Sequence, residues 1–194
     1  MTHLSFQNFR SPAALACFLL TAVIGFALDQ WSKVEAFDKL SGGGVVRMDD
    51  SVRPLDPHTV RFIPGWLHFD VTANQGAVFG IGQGQRALFV AVSVAAIVFI
   101  LYLFATSGRQ RTYQVILGML MAGVLGNLYD RLRYGYVRDM IHALPDWPKL
   151  FPWIFNVADS LLCVGVALMI LYSFLHQPES RALNPQPRTL NPEP

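Results

Sequence analysis

Asp139, in the segment VRDMI, and Asp159, in NVADS, form a pair of carboxylates outside and at the edge of an apolar run. Two such groups that face each other across a partly desolvated gap favour a single shared proton near neutrality. The ionised member then draws a proton from water while the protonated member hydrogen-bonds a scissile carbonyl, which is the aspartic-protease route to peptide hydrolysis. Around them stand further polar residues at helical spacing: Gly25, Asp29 and Lys33; Gly123, Asn127 and Asp130; Asn156, Asp159 and Cys163. Residues three and four apart share a helix face, so each trio is one stripe.

Each of these residues also has a plain structural reading. Asp29 and Lys33 at i,i+4 pair as a helix-surface salt bridge. Asn156 or Asp159 caps the free amides of the helix that follows. Asp130 and its neighbour Arg131 form a structural ion pair. Against these readings stands the cost of several carboxylates at membrane depth, roughly 2.5 to 3.5 kcal/mol for an unpaired Asp at a helix centre.

Membrane depth itself follows from composition. The chain has 194 residues, 53% of them hydrophobic and only 14% charged, with a mean hydropathy of +0.36; this is too apolar for an ordinary soluble domain. Four runs approach the length a bilayer requires, at about 13–28, 87–105, 113–129 and 157–175. The first ends in LDQWSK without a small-x-small cleavage site and three more spans follow, so it reads as a retained helix and not a cleaved signal peptide. In any four-span chain the ends of spans one and three and the starts of two and four share one side. Asp29, Asn74, Asn127, Asp130, Asp139, Asn156 and Asp159 all obey that parity. Parity places them on one side of the membrane; it does not bring them into contact.

The connections are unequal. Only TSGRQR joins spans two and three, whereas loops 31–85 and 130–156 carry nearly all the mass outside the membrane. Within the first loop GGG at 42–44 and the charged RMDDSVRPLDP read as a flexible excursion. In WLHFDVT, Leu67, Phe69 and Val71 alternate with His68, Asp70 and Thr72, the period of a half-buried strand, and IPG ahead of it supplies a turn. The expected architecture is therefore an all-α membrane protein with four transmembrane helices and a small β-rich subdomain outside the membrane. Residues 1–176 read as one integral membrane domain, and the proline-rich tail 177–194 as disordered. On span three, Gly118, Ala122 and Gly126 form a small-xxx-small seam for close helix approach.

Other chemistries find little support. A net charge of +2 with basic residues scattered among acids disfavours nucleic acid. Cys17 and Cys163 lie singly in apolar runs, and the five histidines lack HExxH spacing, so neither a disulfide nor a metal is expected. A transporter or proton relay would also bury Asp and Asn, but it calls for paired broken helices or matching halves, and neither is visible. A scaffold would need helix seams without a carboxylate pair.

The segments LDQWSK, VTANQGAVFGI, GNLYDRLRYGYVRDMIH and FNVADSLLCVGV, in this order on four spans, resemble the motif set of lipoprotein signal peptidase, or signal peptidase II. The resemblance covers about residues 13–176. It implies an aspartyl protease of the bacterial inner membrane that removes signal peptides from prolipoproteins, cutting just before a cysteine that carries diacylglycerol. The family's catalytic pair falls on Asp139 and Asp159. Its other functional positions fall on Asp29, Lys33, Asn74, Gly76, Asn127, Asp130, Arg131 and Asn156. By this analogy Asn74, Arg131 and Asn156 help hold substrate or the peptide inhibitor globomycin, and Asp29, Lys33 and Asp130 support the structure. No cofactor is implied; the implied partners are lipid-modified prolipoproteins and membrane lipids, with the protein a monomer.

Three features depart from the resemblance: an insert at about 40–61, the tail, and Met140 where an aromatic residue often follows the aspartate. The resemblance also implies cytoplasmic termini, with the two aspartates at the outer face. That orientation puts Arg10, Arg109, Arg111, Arg181 and Arg188 inside and the other ten of the 15 basic residues outside, against the positive-inside rule. The short turn, with two arginines and no acid, favours it.

Overall fold

In lipid a backbone amide has no water to bond, so an apolar run that crosses a bilayer closes its hydrogen bonds within a helix. A computed structural model, describing residues 11–48, 51–76, 84–108, 110–151 and 153–176, has four such helices: α1 (Pro12–Leu40), α2 (Arg86–Thr106), α3 (Arg111–Arg133) and α4 (Val157–Leu175). Each is long and apolar enough to span a membrane. Helix α3 is central and packs against the other three. Val92, Val98 and Phe99 of α2, and Val166, Ile170 and Phe174 of α4, are exposed, an outward apolar surface that suits lipid.

Close packing of α3 depends on its small residues. The seam expected from sequence faces α1: a side chain at Gly118 would strike Thr21 and the Phe18 carbonyl, Ala122 lies against Gly25, and Gly126 lies against Asp29. The opposite face meets α4, where Gly123 abuts the Ala158 carbonyl and Leu162. A hydrophobic core of Phe18, Ile100, Phe104, Leu117 and Met121 closes the end of the bundle near the tight turn. There Gln114, buried among apolar neighbours, donates to the Gly108 carbonyl at 2.8 Å.

Helix α1 differs from the sequence expectation. It runs twelve residues past Leu28, so that Trp31–Leu40 is helix and not loop. At 1.5 Å per residue its 29 residues span about 43 Å, more than the roughly 30 Å of bilayer hydrocarbon. The last turns therefore stand clear of the membrane core. They stay helical because Asp29, Lys33, Phe37 and Leu40 continue one buried stripe, with no glycine or proline until Gly42. Helix α3 likewise continues past Tyr129, to Arg133.

The segment after Gly42 is not a loose excursion. β1 (Val45–Met48) and β2 (Ser51–Pro54) pair as an antiparallel hairpin. Val52 packs with Phe37, Leu40, Val71, Tyr136 and Met140 into a second core above the membrane rim. Gly42 has φ +66°, and a Cβ there would collide with the backbone of Asp56. Met140 thus fills core space and does not face the polar cluster at Asp139.

A second sheet has the order β3-β4-β5-β6, all antiparallel, built from β3 (Val60–Ile63), β4 (Leu67–Asn74), β5 (Val137–Ala143) and β6 (Ile154–Phe155). The expected IPG turn joins β3 to β4, with Gly65 at φ +78° and Trp66 N donating to Ile63 O at 3.0 Å. The expected alternation in β4 is broken. Phe69 pairs with Ile141 and Thr72 with Asp139, so β4 carries one extra residue and the pattern changes phase. His68 and Val71 are consequently the buried pair. The expected flexible tail 177–194 and the N-terminal ten residues lie outside the described residues.

Candidate active site

Strand β5 and the start of α4 meet at one point because β5 pairs with β6, which ends one residue before Asn156. Asn156 is the N-cap of α4, and the cap is reciprocal. Its side-chain oxygen accepts from Asp159 N at 2.9 Å, and Asp159 Oδ2 accepts from Asn156 N at 3.3 Å. The capping role read from sequence is therefore real, but it does not exhaust either residue. The Asn156 amide nitrogen also donates to Asp139 Oδ1 at 2.6 Å and to Asn127 Oδ1 at 3.1 Å.

Asp139 is held from its other side by Asn74, whose amide donates to Oδ2 at 3.0 Å. The Asn74 amide oxygen accepts from Gly76 N at 2.9 Å, and the Gly76 carbonyl accepts from Arg131 Nη2 at 2.9 Å. The Arg131 guanidinium lies 5.0 Å over the Phe89 ring. A chain of contacts thus runs from α3 through the end of β4 to the carboxylate. Asp159 in turn accepts from Asn127 Nδ2 at 2.7 Å. Both amides beside Asp139 have their oxygens occupied elsewhere, so each presents its NH2 to the carboxylate.

Beneath these groups lies a buried charge cluster. The Lys33 ammonium spends its three hydrogens on Asp29 at 2.8 Å, Asp130 at 3.2 Å and Asn127 Oδ1 at 3.3 Å. Asp29 and Lys33 are wholly buried, so their i,i+4 pair is not the helix-surface bridge that spacing alone suggested. Asp29 Oδ1 also accepts from Ala158 N at 2.8 Å and so helps to cap α4. The expected Asp130–Arg131 pair does not form. Asp130 binds Arg138 instead, with Arg138 Nη2 to Oδ1 at 2.8 Å and Arg138 N to Oδ2 at 3.0 Å. Adjacent helical residues point apart, and α3 sends Asp130 inward to β5 while Arg131 turns to the cavity.

Arg138 and Gln30 were not visible as members of this group from sequence. Arg138 Nη2 donates to Gln30 Oε1 at 2.7 Å, and Gln30 Nε2 donates to Asp29 Oδ2 at 2.9 Å. The available signal was strand parity: Arg138 and Asp139 are neighbours on β5 and must face opposite ways, one toward Asp130 and one toward the cavity.

Asp139 and Asp159 line one cavity of about 590 Å³, together with Asn74, Asn127 and Arg131. The rest of its wall is apolar: Phe89, Val92 and Ala96 of α2, Val124 and Leu162, and the aromatic segment Phe151, Trp153 and Phe155. The aromatic segment and Phe89 carried no sequence signal as site residues. Asp29, Lys33, Asp130 and Asn156 do not line the cavity and lie behind it. Burial first, and then the negative charge of Asp159, pushes the Asp139 carboxyl up from 3.8 to about 7. The donors Asn74 and Asn156 and the Lys33 charge restrain that rise. A carboxyl that keeps its proton near neutrality beside a second carboxylate in an apolar cleft is equipped for paired acid and base work. Among the described residues no group of three or more His, Cys, Asp or Glu is placed to hold a metal.

The same set of residues lies within a match to known proteins. The model of the family described as signal peptidase (SPase) II matches residues 21–175. Over 161 residues the chain is 36% identical to a lipoprotein signal peptidase of Enterococcus faecalis, covering 82% of this chain and 88% of that one. A lipoprotein signal peptidase of Halothermothrix orenii is 37% identical over 153 residues, 79% of this chain and 92% of the relative. A bacterial membrane enzyme solved by the in meso method at 2.3 Å superposes with a TM-score of 0.66 at 28% identity, over 85% of this chain and 93% of that one. A second such structure, at 1.9 Å, gives 0.61 at 28% identity, over 82% and 92%. The family model reaches into all four helices and covers both sheet strands that carry the polar cluster, and the chain belongs to the signal peptidase II family.

Proposed function

We propose that this protein is an aspartic endopeptidase that removes the signal peptide from diacylglyceryl-modified prolipoproteins, cutting just before the lipidated cysteine. Asp139 and Asp159 are its catalytic pair. The observation that carries the reading is the sharing of one apolar cavity by these two carboxylates, one of them raised to about 7. Family membership supplies the substrate class.

In the working cycle Asp139 holds the shared proton and Asp159 is ionised. Asp159 accepts a proton from water as the water oxygen bonds to the scissile carbonyl carbon, while Asp139 gives its proton to the carbonyl oxygen. When the resulting diol collapses, Asp139 takes a proton back from a hydroxyl and Asp159 protonates the leaving nitrogen as the C–N bond breaks. Both carboxyls return to their starting states. Asn74, Asn127 and Asn156 keep the carboxylates in register, and Arg131 holds the Gly76 end of the cavity wall. Asn74 and Arg131, which line the cavity, also contact substrate, or globomycin in its place. Asp29, Lys33 and Asp130 act as the support beneath.

The apolar walls supplied by α2, α4 and Phe151–Phe155 suit a substrate already anchored in the bilayer, because burial of acyl chain and signal helix positions the bond without a separate docking step. The protein works as a monomer in the bacterial inner membrane, with both termini cytoplasmic and the cavity at the outer face. A reporter fused after Arg111 then reports a cytoplasmic location.

The test is a gel-shift cleavage assay with purified protein and a diacylglyceryl-modified prolipoprotein, with Asp159→Asn beside wild type. Cleavage by wild type, none by the variant, and poor cleavage of the unlipidated precursor are expected. A folded wild type that leaves the lipidated precursor intact overturns the reading.

A further inference from the structure

A second cavity, of about 580 Å³, shares no lining residue with the catalytic cleft. Its walls include Phe37, Asp38 and Ser41 at the end of α1 and Tyr134, Tyr136 and Arg138 after α3. The open side is formed by Gly43 and Gly44, beside which even an added Cβ would meet nothing within 4 Å. Along the same α1–α3 seam, toward the membrane, lies a groove of about 270 Å³ lined by Phe26, Leu125, Leu128, Tyr129 and Leu132.

The two spaces lie one above the other along that seam and share no lining residue. Phe26 in the groove and Val34 in the cavity are eight residues apart on α1, about 12 Å along its axis. A ladder of rings bridges that distance on α3 and beyond: Phe26 to Tyr129 at 5.9 Å, Tyr129 to Tyr134 at 6.4 Å and Tyr134 to Tyr136 at 6.0 Å. Two guanidinium groups lie over Tyr134, Arg138 at 4.5 Å and Arg133 at 5.8 Å. Arg138 is neutralised by Asp130, whereas Arg133 is exposed and has no acidic partner among the described salt bridges. Tyr129 and Leu132 are exposed, so the groove opens outward to lipid.

We propose that this seam binds one bilayer phospholipid, with an acyl chain along Phe26, Leu125 and Tyr129 and its phosphate at Arg133 beside Tyr134. The order of polarity decides the ligand. An uncharged groove along the membrane-spanning part of the seam, with an exposed guanidinium above it over Tyr134, a residue of the polar chamber, matches a phospholipid entering from the bilayer, tail below and phosphate above. A soluble anion would use the chamber and leave the groove empty. The prolipoprotein cannot be the occupant, because the buried Asp29–Lys33–Asp130–Arg138 cluster separates this seam from Asp139 and Asp159. Arg138 nevertheless touches both regions, since it lines the chamber and directly precedes Asp139 on β5. The assignment needs only that the four helices lie in a membrane and is independent of the protease reading.

Native mass spectrometry of the full chain in mild detergent, delipidated and then titrated with phosphatidylethanolamine or phosphatidylglycerol, tests the site. One equivalent should survive activation that strips all others, and its binding should raise Tm. Arg133→Glu, at an exposed position, and Leu125→Trp, which fills the groove, should each weaken retention by about tenfold, the value of one charge-assisted contact or a blocked tail. Val92→Trp, in the catalytic cavity, should leave retention unchanged. A ladder of adducts with no preferred first equivalent overturns the proposal. So does retention unaffected by both seam variants, loss caused by Val92→Trp, or an equal Tm rise from inorganic phosphate alone.

Discussion

The Asn156 side chain donates to Asp139 Oδ1 at 2.6 Å while its oxygen accepts from Asp159 N at 2.9 Å, so a single amide fixes the strand carboxylate and the start of the helix that bears the other. Its two functions separate by substitution. Asn156→Ser keeps a good N-cap and loses the amide donor to Asp139. The expected result is a Tm within a few degrees of wild type and a cleavage rate down by about a hundredfold, from a lost hydrogen bond of roughly 0.5 to 1.5 kcal/mol plus misplacement of the carboxyl. Wild-type kcat in Asn156→Ser overturns the positioning role.

The pH profile of cleavage carries a signature of the raised carboxyl. Asp139 has its ordinary value of 3.8 lifted to about 7, so the active singly protonated pair persists as pH rises through the usual carboxylate range. Activity should then fall as pH passes about 7 and both carboxylates ionise. The apparent value belongs to the pair and not to one residue. Rates measured from pH 5 to 9 in proteoliposomes check this; a profile still rising above pH 8 excludes Asp139 as the group that holds the proton.

Lys33 bridges the buried carboxylates of Asp29 and Asp130 and orients Asn127 at once. Lys33→Met should therefore cost on the order of 3 to 5 kcal/mol, the usual penalty for stranding buried charge. Thermal unfolding in detergent reads the loss. A variant with unchanged Tm means that Asp29 and Asp130 do not depend on this ammonium.

Glycine to alanine inside a helix ordinarily stabilises by up to about 1 kcal/mol. At Gly126 the sign should reverse, because a Cβ would collide with the Asp29 carboxylate and sit 3.0 Å from Ala158 Cβ. Gly126→Ala is expected to destabilise by about 1 to 3 kcal/mol through overpacking.

Arg131 is linked to Asp139 through Gly76 and Asn74, and its Nη1 donates to the carbonyl of Asn127, which bonds Asp159. Arg131→Lys retains the charge but not the planar fork over Phe89. An increase in KM larger than the fall in kcat is expected in steady-state assays. A pure kcat loss assigns Arg131 to the chemistry instead of to the cavity wall.

Four spans, their order and the sharing of one side by Asp29, Asn127, Asp139 and Asp159 were legible in the sequence, because hydropathy and helical or four-span parity are properties of linear spacing. The segment resemblance was legible for the same reason. The small seam Gly118, Ala122 and Gly126 was also visible, although its partner α1 was not. What spacing could not supply was direction and contact. Whether Asp130 meets Arg131 or Arg138 depends on which way α3 ends relative to β5. The extension of α1 to Leu40 depends on burial partners contributed by β2, β4 and β5. The change of phase in β4 comes from one extra residue relative to a partner strand some seventy positions away. The raised carboxyl of Asp139 needs burial and a neighbouring charge that only the packed chain provides. Sequence determined the inventory and that its members share one side; tertiary structure decided which polar groups pair, because hydrogen bonds and desolvation act over a few ångströms between residues that chain order leaves far apart.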